Sequence, residues 1–304
     1  MQLNTSKNKI KKPFSDQAFN TVLMIIATVV LILVLYPMIY VLSSSFSSGY
    51  AITSGRVYLW PVDFSIQGYK KVFADPSIWR GYANTIYYVI GGTLVSLIMT
   101  ICGAYPLSRK NYQAKPFVEK FLTASMLLGG GLIPTFIVVS NLGLVDTQLY
   151  MIISGVVGIS WIIIMRTFFQ NNVPYELLES AKMDGITDIG YLLKVTLPLS
   201  KAVISVICLY AVVGKWNSYM TPMIYLTTPD YYPLQIILKD LLLESQSIGQ
   251  GAAAADSAEI AKAQEYADTI RYALIVVSIV PMLILYPFIQ KFFEKGVTMG
   301  SVKG

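Results

Sequence analysis

The sequence predicts an all-α, polytopic membrane protein. Hydrophobic residues make up 55% of the 304-residue chain and charged residues only 13%, whereas soluble domains carry about 25% charged residues. The mean hydropathy is +0.58. The apolar residues lie in long uncharged runs, and a helix needs about 20 such residues to cross a bilayer. These observations exclude a soluble globular domain, a disordered chain and a disulfide-stabilised scaffold.

Six apolar segments have the length of a transmembrane helix. Only one of them contains a charged residue, Lys215 in the fifth segment. The third segment is interrupted by a run of three glycines, 129–131, and by Pro134, which we interpret as close packing and flexibility within a membrane helix. The six predicted spans are residues 22–42, 85–107, 121–145, 147–165, 202–226 and 272–290.

The first span follows a basic segment and could be taken for a secretory signal. Its 21 uncharged residues exceed the apolar core of a signal peptide, which has about 7–15 residues. Ser43 to Phe46, which follow it, contain no Ala-x-Ala cleavage site. We therefore expect the first span to be retained as a helix.

The distribution of basic residues predicts the orientation. With a cytoplasmic N-terminus, the inner segments hold 15 of the 23 Lys and Arg residues, and the outer segments hold seven. Cytoplasmic loops carry the excess of Lys and Arg. We therefore expect both termini in the cytoplasm, and the basic charge of the chain does not require nucleic acid as a partner. The inner segments are 1–21, 108–120, 166–201 and 291–304.

Two outer loops are long, and each allows two interpretations. Residues 43–84 contain nine aromatic residues, which form either an interfacial belt or a docking surface for an external partner. Residues 227–271 contain a Gly/Ala-rich stretch, 249–255, followed by a predicted polar helix, 256–271. That helix is either a solvated surface or a second contact for a partner.

Several kinds of chemistry are disfavoured by the residues themselves. The chain contains no His, and its two cysteines, Cys102 and Cys208, lie in apolar runs, where we expect inert thiols. It contains no G-x-x-x-x-G-K-[ST] motif that could hold nucleotide phosphates. No acidic residue lies in a predicted span, which disfavours proton coupling, but a sodium site built from backbone carbonyls stays open.

Residues 171–198 predict a helical hairpin on the cytoplasmic side. Asn172 is suited to cap its first helix and Pro174 to its first turn. Gly185 is suited to the turn because glycine accepts a positive φ, and Thr187 begins a second helix that Leu197-Pro198 ends. A hairpin of this kind is not needed to join two spans, which indicates a surface held by a partner.

This hairpin resembles the EAA loop of ATP-binding cassette (ABC) importer permeases. The family pattern is Glu-Ala-Ala, three residues and Gly, and this chain has Glu179-Ser180-Ala181 followed by Gly185, with Ser180 at a position that is usually Ala. Further stretches resemble the carbohydrate-uptake branch, related to the maltose-importer permeases, and its complex-oligosaccharide subgroup. They are 59–61, 69–73, 84–85, 129–131, 216–217 and the tail 295–304.

The resemblance implies a type I ABC importer permease, with 1–304 as one transmembrane domain in the bacterial cell membrane. It implies a second permease, two ATPases and an external binding protein that delivers an oligosaccharide. ATP and Mg would be bound by the ATPases, so we expect this chain to bind no cofactor and to be no enzyme itself. The residues that would contact the ATPase are Glu179, Ser180, Ala181, Asp184 and Gly185.

The fifth span suggests a substrate path. Trp216 and Tyr219 are three residues apart and would share one side of a helix, where aromatic rings can stack on sugars. Asn217 would lie at the edge as a donor and acceptor. Lys215 would either snorkel to the outer interface or face the cavity. Helix packing is the alternative role for these residues, and an ion-coupled secondary carrier for a small polar solute is the alternative function.

Overall fold

The computed structural model describes residues 14–251 and 257–300, and every regular element in these two ranges is helical, as the composition predicts. The basic N-terminal lysines, residues 252–255 of the Gly/Ala-rich stretch and the last four residues of the tail lie outside the described residues. The chain divides into two compact units. One unit comprises Met1–Lys70 with Ser245–Val276, and the other comprises Lys71–Glu244 with Val277–Gly304.

The first unit contains a long apolar helix and two short helices. Helix α1 (Phe14–Ser45) carries apolar side chains that are exposed along most of its length. Short helices α2 (Gly49–Thr53) and the start of α3 (Gln67–Ala74) follow it. They pack against α15 (Ser257–Gly300). A Cβ atom at Gly49 would lie 2.5 Å from the Glu265 carbonyl oxygen, and one at Gly68 would lie 2.5 Å from that of Thr269. Glycine is therefore required at both contacts.

The second unit is organised around helix α4 (Pro76–Ser108), which the Asp75 carboxylate caps. This helix contacts α7 (Gln148–Ile153), α8 (Ile159–Asn172) and α12 (Lys201–Trp216). A buried row of small residues follows one face of α4 at intervals of four positions. Small side chains allow membrane helices to approach closely, which explains why three helices meet there. The row is Gly92, Ser96, Thr100 and Ala104.

Three described helices are long and apolar enough to cross a membrane, Ala18–Ser45, Pro76–Ser108 and Glu265–Pro287. The first two contain the first and second predicted spans, and the third covers residues 272–287 of the sixth. Two further helix pairs have the required length and composition only when each pair is taken together. These are Lys115–Leu127 with Leu132–Asn141, bent by 113°, and Asp188–Leu199 with Lys201–Trp216, bent by 82°.

The third, fourth and fifth predicted spans are not continuous helices. The third is split into α5 (Lys115–Leu127) and α6 (Leu132–Asn141) by the three glycines. Gly131 has a φ of +76°, and a Cβ at Gly129 or Gly130 would meet nothing within 4 Å. Close packing of these glycines was therefore the wrong interpretation, because they end a helix. The fourth predicted span breaks between α7 and α8, where Gly155 has a φ of +64°.

The fifth predicted span ends early. Helix α12 stops at Trp216, and the chain resumes as α13 (Met220–Tyr225). Beyond it lie a 3₁₀ turn (Pro229–Tyr231) and α14 (Leu234–Gly251). The predicted polar helix of the last outer loop is helical, but from Ser257 it is continuous with the sixth span as the 44-residue α15.

Candidate coupling hairpin and translocation path

The predicted hairpin is present, with its turn at Gly185. Asp184 is the C-cap of helix α9 (Tyr175–Met183), and Gly185 has a φ of +73°. The N–H of Ile186 donates to the Ala181 carbonyl at 2.9 Å, which satisfies a carbonyl left free at the helix end. Helix α10 (Asp188–Tyr191) then begins, and the Thr187 hydroxyl accepts from the Gly190 N–H at 3.1 Å. The predicted turn and second cap are therefore confirmed.

The start of the hairpin differs from the prediction, whereas its end agrees closely. Asn172 is the last residue of α8 and does not cap α9, whose N-cap position is taken by Pro174. Leu197-Pro198 lies in the last turn of the second helix, which is continuous from Asp188 to Leu199. This helix comprises α10, a π-helical turn (Leu192–Thr196) and α11 (Leu197–Leu199). The predicted end of the second helix is therefore confirmed to within one residue.

The hairpin is fixed to the rest of the second unit along one buried seam. Leu178, Ala181 and Tyr191 are buried in a cluster with residues of α4, α8 and α12. The Tyr105 hydroxyl of α4 donates to the Asp188 carbonyl at 2.8 Å. Burial raises the pKa of the Tyr191 phenol, although the charge of Arg109 acts in the opposite direction. The phenol therefore stays neutral at physiological pH.

The opposite side of the hairpin is exposed. Glu179, Ser180, Asp184 and Gly185 lie on this side, whereas Ala181 is buried and anchors the seam. Two large apolar side chains that the sequence interpretation passed over are also exposed, Met183 at 89% and Ile189 at 71%. The exposure of Met183 beside Glu179 could have been inferred, because Met183 follows Glu179 by four residues, one helical turn. The hairpin thus presents a mixed acidic and apolar surface.

Lys215 neither snorkels nor extends freely into a cavity. Its ammonium group donates to the carbonyl oxygens of Met151 at 2.7 Å, Ile152 at 3.1 Å and Ser154 at 2.6 Å. These carbonyls lie at the C-terminal end of α7, where helix carbonyls lack intrahelical partners and a cation is favourable. A Cβ at Gly92 would lie 2.6 Å from Cε of Lys215. The aliphatic part of the Lys215 side chain therefore passes α4 at Gly92, where a larger residue would block it.

A cavity of about 250 Å³, lined by both polar and apolar groups, adjoins this lysine. The Ser96 hydroxyl donates to the Val156 carbonyl at 2.9 Å, which holds the loop between α7 and α8 against α4. Irregular backbone at membrane depth is tolerated where it lines a cavity, and Ser154, Gly155 and Val156 of this loop line this one. The side chains at the wall include Ser96, Ser154, Trp161, Lys215, Ser218 and Thr221.

The other predicted path residues are not brought together. Trp216 is buried, at 4% exposure, and its indole N–H donates to the Ser278 carbonyl at 3.1 Å. Asn217 is the exposed C-cap of α12, and Tyr219 is the exposed N-cap of α13. Because the helix ends at Trp216, the prediction that Trp216 and Tyr219 share one helical side was wrong. Trp161, from α8, is the aromatic residue at the wall of the cavity.

Two polar residues of α4 position the segment that leads into α14. The Asn84 amide donates to the carbonyls of Asp230 at 2.8 Å and Tyr232 at 3.0 Å. The Thr85 hydroxyl accepts from the Leu234 N–H at 2.8 Å. The sequence resemblance included Asn84 and Thr85, and the structure gives them this positioning role.

No protein-family model matches the chain, but individual proteins do. It is 37% identical, over 88% of its length and 92% of the relative's, to the polygalacturonan/rhamnogalacturonan transport system permease protein YtcP of Bacillus subtilis. It is 35% identical to protein LplC of the same species, over 88% and 89% of the two chains.

A solved structure also matches. It is the crystal structure of a bacterial ABC transporter involved in the import of the acidic polysaccharide alginate, with a TM-score of 0.84 and 34% identity over 93% of this chain and 99% of that one. The resemblance inferred from the hairpin is thereby confirmed. The chain belongs to the permease subunits of ABC importers of the carbohydrate-uptake type.

Proposed function

We propose that this permease, paired with a second homologous permease, forms the path of an oligosaccharide that an external binding protein delivers. Two partner ATPases bind ATP and Mg and drive the cycle, and the chain itself is one transmembrane domain without a cofactor. The observation that carries this proposal is the hairpin at Gly185, which has a buried seam on one side and exposes Glu179, Met183 and Asp184 on the other. Such a hairpin can transmit a push from a partner because it is fixed to three helices of the permease.

The ATPase contact is assigned to the exposed side of this hairpin. Glu179 offers a carboxylate to a basic group of the ATPase, and Met183 and Ile189 offer apolar area. This surface also includes Ser180, Asp184 and Gly185. Ala181 is buried, and it supports the surface by packing into the core. A surface that combines apolar anchors with a polar rim has the composition of a specific protein interface.

An oligosaccharide is the substrate class that the relatives support. The name of YtcP refers to polygalacturonan and rhamnogalacturonan, and the matching structure belongs to an importer of alginate. The cavity beside Lys215 fits a polar substrate, because hydroxyl groups and the Trp161 ring line it. We therefore assign the substrate path to this cavity, with Lys215 as a positioning residue, and not to the side of Trp216.

The secondary carrier is less well supported. A sodium site built from carbonyls at a broken helix was the remaining route to ion coupling. Such carbonyls exist at the end of α7, but the Lys215 ammonium donates to three of them. A cation tethered to the protein therefore takes the position that a sodium ion would need.

Co-purification from native membranes tests the proposed assembly. The tagged chain, extracted in a mild detergent, should retain a second permease and an ATPase, which mass spectrometry identifies. Recovery of the chain as a lone homodimer would contradict the ABC importer assembly and would favour the secondary carrier.

Cysteine labelling tests the proposed orientation. In a background with Cys102→Ser and Cys208→Ser, Ser54→Cys should react with an impermeant thiol reagent in intact cells, and Asn111→Cys should react only after permeabilisation. Both positions are exposed, so a difference in reactivity reports the side of the membrane. Reaction of Asn111→Cys from outside would contradict cytoplasmic termini.

A further inference from the structure

A second cavity, of about 290 Å³, lies where α4 ends and the hairpin begins. The proposed transport path does not use it. Its lining combines three basic side chains, Arg109, Lys110 and Lys182, with three tyrosines and one carboxylate, that of Asp188. The cations come from two separate segments, the end of α4 and helix α9. Positive charge therefore converges on this cavity from both the predicted span and the hairpin.

The charge of this cavity is not neutralised by ion pairs. Among the side chains that the structure describes, none of the three cations forms a salt bridge. The nearest basic residue along the chain, Lys115, is by contrast paired with Glu119. Unpaired cations around a partly enclosed cavity favour an anionic ligand.

Aromatic rings hold two of the cations in place without removing their charge. The Arg109 guanidinium lies 4.1 Å from the ring centroid of Tyr105 and 5.0 Å from that of Tyr191. The Lys110 ammonium lies 4.6 Å from the ring centroid of Tyr175. Cation–π contacts orient a cation and leave its N–H groups able to donate. The cavity is thus preorganised for an acceptor.

Arg109 has more donors than its contacts use. Its Nη2 atom donates to the Thr196 hydroxyl at 3.5 Å, and the Tyr105 and Tyr191 hydroxyls also lie within its hydrogen-bonding reach. A guanidinium carries five N–H donors, so donors remain for a ligand. A guanidinium with free donors matches the paired oxygens of a phosphate, and lysines contribute point charges to the same group.

We propose that this cavity binds the phosphate group of an anionic ligand. Arg109 directly follows the membrane helix α4, which places the cavity at the depth of lipid headgroups, so a phospholipid or free phosphate can supply the group. That this end is cytoplasmic rests on the proposed function. The bound phosphate links Arg109 and Lys110 of the α4 end to Lys182 of the hairpin, and so ties the hairpin to the predicted span.

Binding to the assembled transporter tests the proposal with two probes. In nanodiscs of phosphatidylcholine with added phosphatidylglycerol, native mass spectrometry measures the retained anionic lipid. In nanodiscs of phosphatidylcholine alone, equilibrium dialysis with radiolabelled inorganic phosphate measures the free anion. Lys110→Gln and Lys182→Gln should each weaken binding of the effective probe roughly fivefold. Lys120→Gln is the control, because it removes an exposed charge from the same segment outside the cavity.

The outcomes separate the two sources and the competing explanations. Retention of phosphatidylglycerol that inorganic phosphate does not displace supports a lipid headgroup, and binding of phosphate in phosphatidylcholine alone supports a soluble anion. An equal loss in Lys120→Gln overturns the site, because it shows a diffuse charge effect. The proposal is also overturned if neither probe binds, which is the result expected if an ATPase side chain fills the cavity. These readouts require no transport, so they are independent of a failure of the proposed function.

Discussion

The ammonium nitrogen of Lys215 lies 2.6 Å from the carbonyl oxygen of Ser154. This contact joins α12 to the break between α7 and α8, two positions that are 61 residues apart in the chain. Two further carbonyls of the same helix end accept from the same nitrogen. The only charge in a predicted span is therefore a cross-link that holds a broken helix in place at the wall of the cavity.

Lys215→Met should lower stability and uptake together. The substitution leaves the carbonyls at the end of α7 without their donor, and a hydrogen bond to a charged group contributes about 1.5–3 kcal/mol. We expect a lower unfolding temperature of the purified transporter and reduced uptake of neutral and acidic oligosaccharides alike. Lys201→Met is the control, because Lys201 is exposed at the start of the same helix. An unchanged unfolding temperature with a selective loss of acidic substrates would instead make Lys215 a charge-reading group.

Gly92→Ala should reproduce part of this effect without removing the charge. The added methyl group would lie 2.6 Å from Cε of Lys215, so the lysine stem must move, and overpacking of this kind typically costs about 1–3 kcal/mol. Thermal unfolding measures the loss. Gly214→Ala is the matched control, since a Cβ there meets nothing within 4 Å. Equal unfolding temperatures for the two variants would show that the stem is not confined at Gly92.

Trp216→Ala should destabilise the protein, not merely weaken sugar binding. The side chain is 4% exposed, its N–H donates to the Ser278 carbonyl and its ring lies 6.2 Å from that of Tyr82. Truncation of a buried Trp costs about 3–5 kcal/mol. Trp216→Phe should keep most of the packing, so it should lose less stability than Trp216→Ala. A stable Trp216→Ala protein with a raised KM for uptake would return the residue to the substrate path.

Asp146→Asn should show a pH-dependent loss of stability. The Thr228 hydroxyl, with the N–H groups of Thr228 and Thr227, donates to the Asp146 carboxylate and holds its pKa below the ordinary range. Because the folded pKa is depressed, the stabilisation is present above the unfolded pKa of about 3.9 and is lost as the pH falls. The difference in unfolding temperature between wild type and Asp146→Asn should therefore be constant above about pH 5 and shrink below about pH 4.

Asp63→Asn is the matched control for this titration. Asp63 also has a positive φ, but its carboxylate is exposed and, within the described residues, accepts only from Arg56 at 3.4 Å. Asparagine tolerates a positive φ as aspartate does, so both variants isolate the charge. A pH-independent difference for Asp146→Asn would show that the carboxylate charge does not hold the segment at Thr227 and Thr228.

The features that local sequence predicts are those whose cause is local. The apolar length of α1, α4 and α15 is a property of single segments, and the positive φ at Gly185 follows from a glycine placed after a helical pattern. The breaks at Gly131 and Gly155 were harder to predict, because mean apolarity does not report where a helix stops. Both glycines have positive φ. In the sequence, the run of three glycines at 129–131 was the signal of a helix break.

The contacts that define the cavity could not be predicted from the sequence. Lys215 binds backbone carbonyls more than 60 residues away, and carbonyl acceptors carry no residue-type signature. The position of Trp216 depends on the end of α12 and on the Ser278 carbonyl, so a helical-wheel argument that extended the helix to Tyr219 placed it wrongly. The hairpin was predicted better because its caps and turn lie within residues 171–198.

Gly185→Leu and Glu179→Lys should uncouple the transporter while leaving it in the membrane. Gly185 has a φ of +73°, and a Cβ there meets nothing within 4 Å, so the expected cost is backbone strain of about 1–2 kcal/mol and not a clash. Glu179→Lys reverses an exposed charge without touching the buried seam. We expect both variants to assemble with normal membrane levels and to lose sugar-stimulated ATP hydrolysis, measured on the complex reconstituted with its binding protein.

Two matched controls separate coupling from general damage to the hairpin. Gly185→Asn should retain most of the stimulated hydrolysis, because asparagine adopts a positive φ more readily than leucine. Glu176→Lys makes the same charge reversal three residues before Glu179, at an exposed position of the same helix, and should have the smaller effect. If Glu179→Lys and Gly185→Leu both hydrolyse ATP normally in response to sugar, the hairpin only connects two helices, and the assignment of its exposed side to the ATPase is wrong. If Glu176→Lys is as damaging as Glu179→Lys, the contact depends on the total charge of α9 and not on a pairing of Glu179.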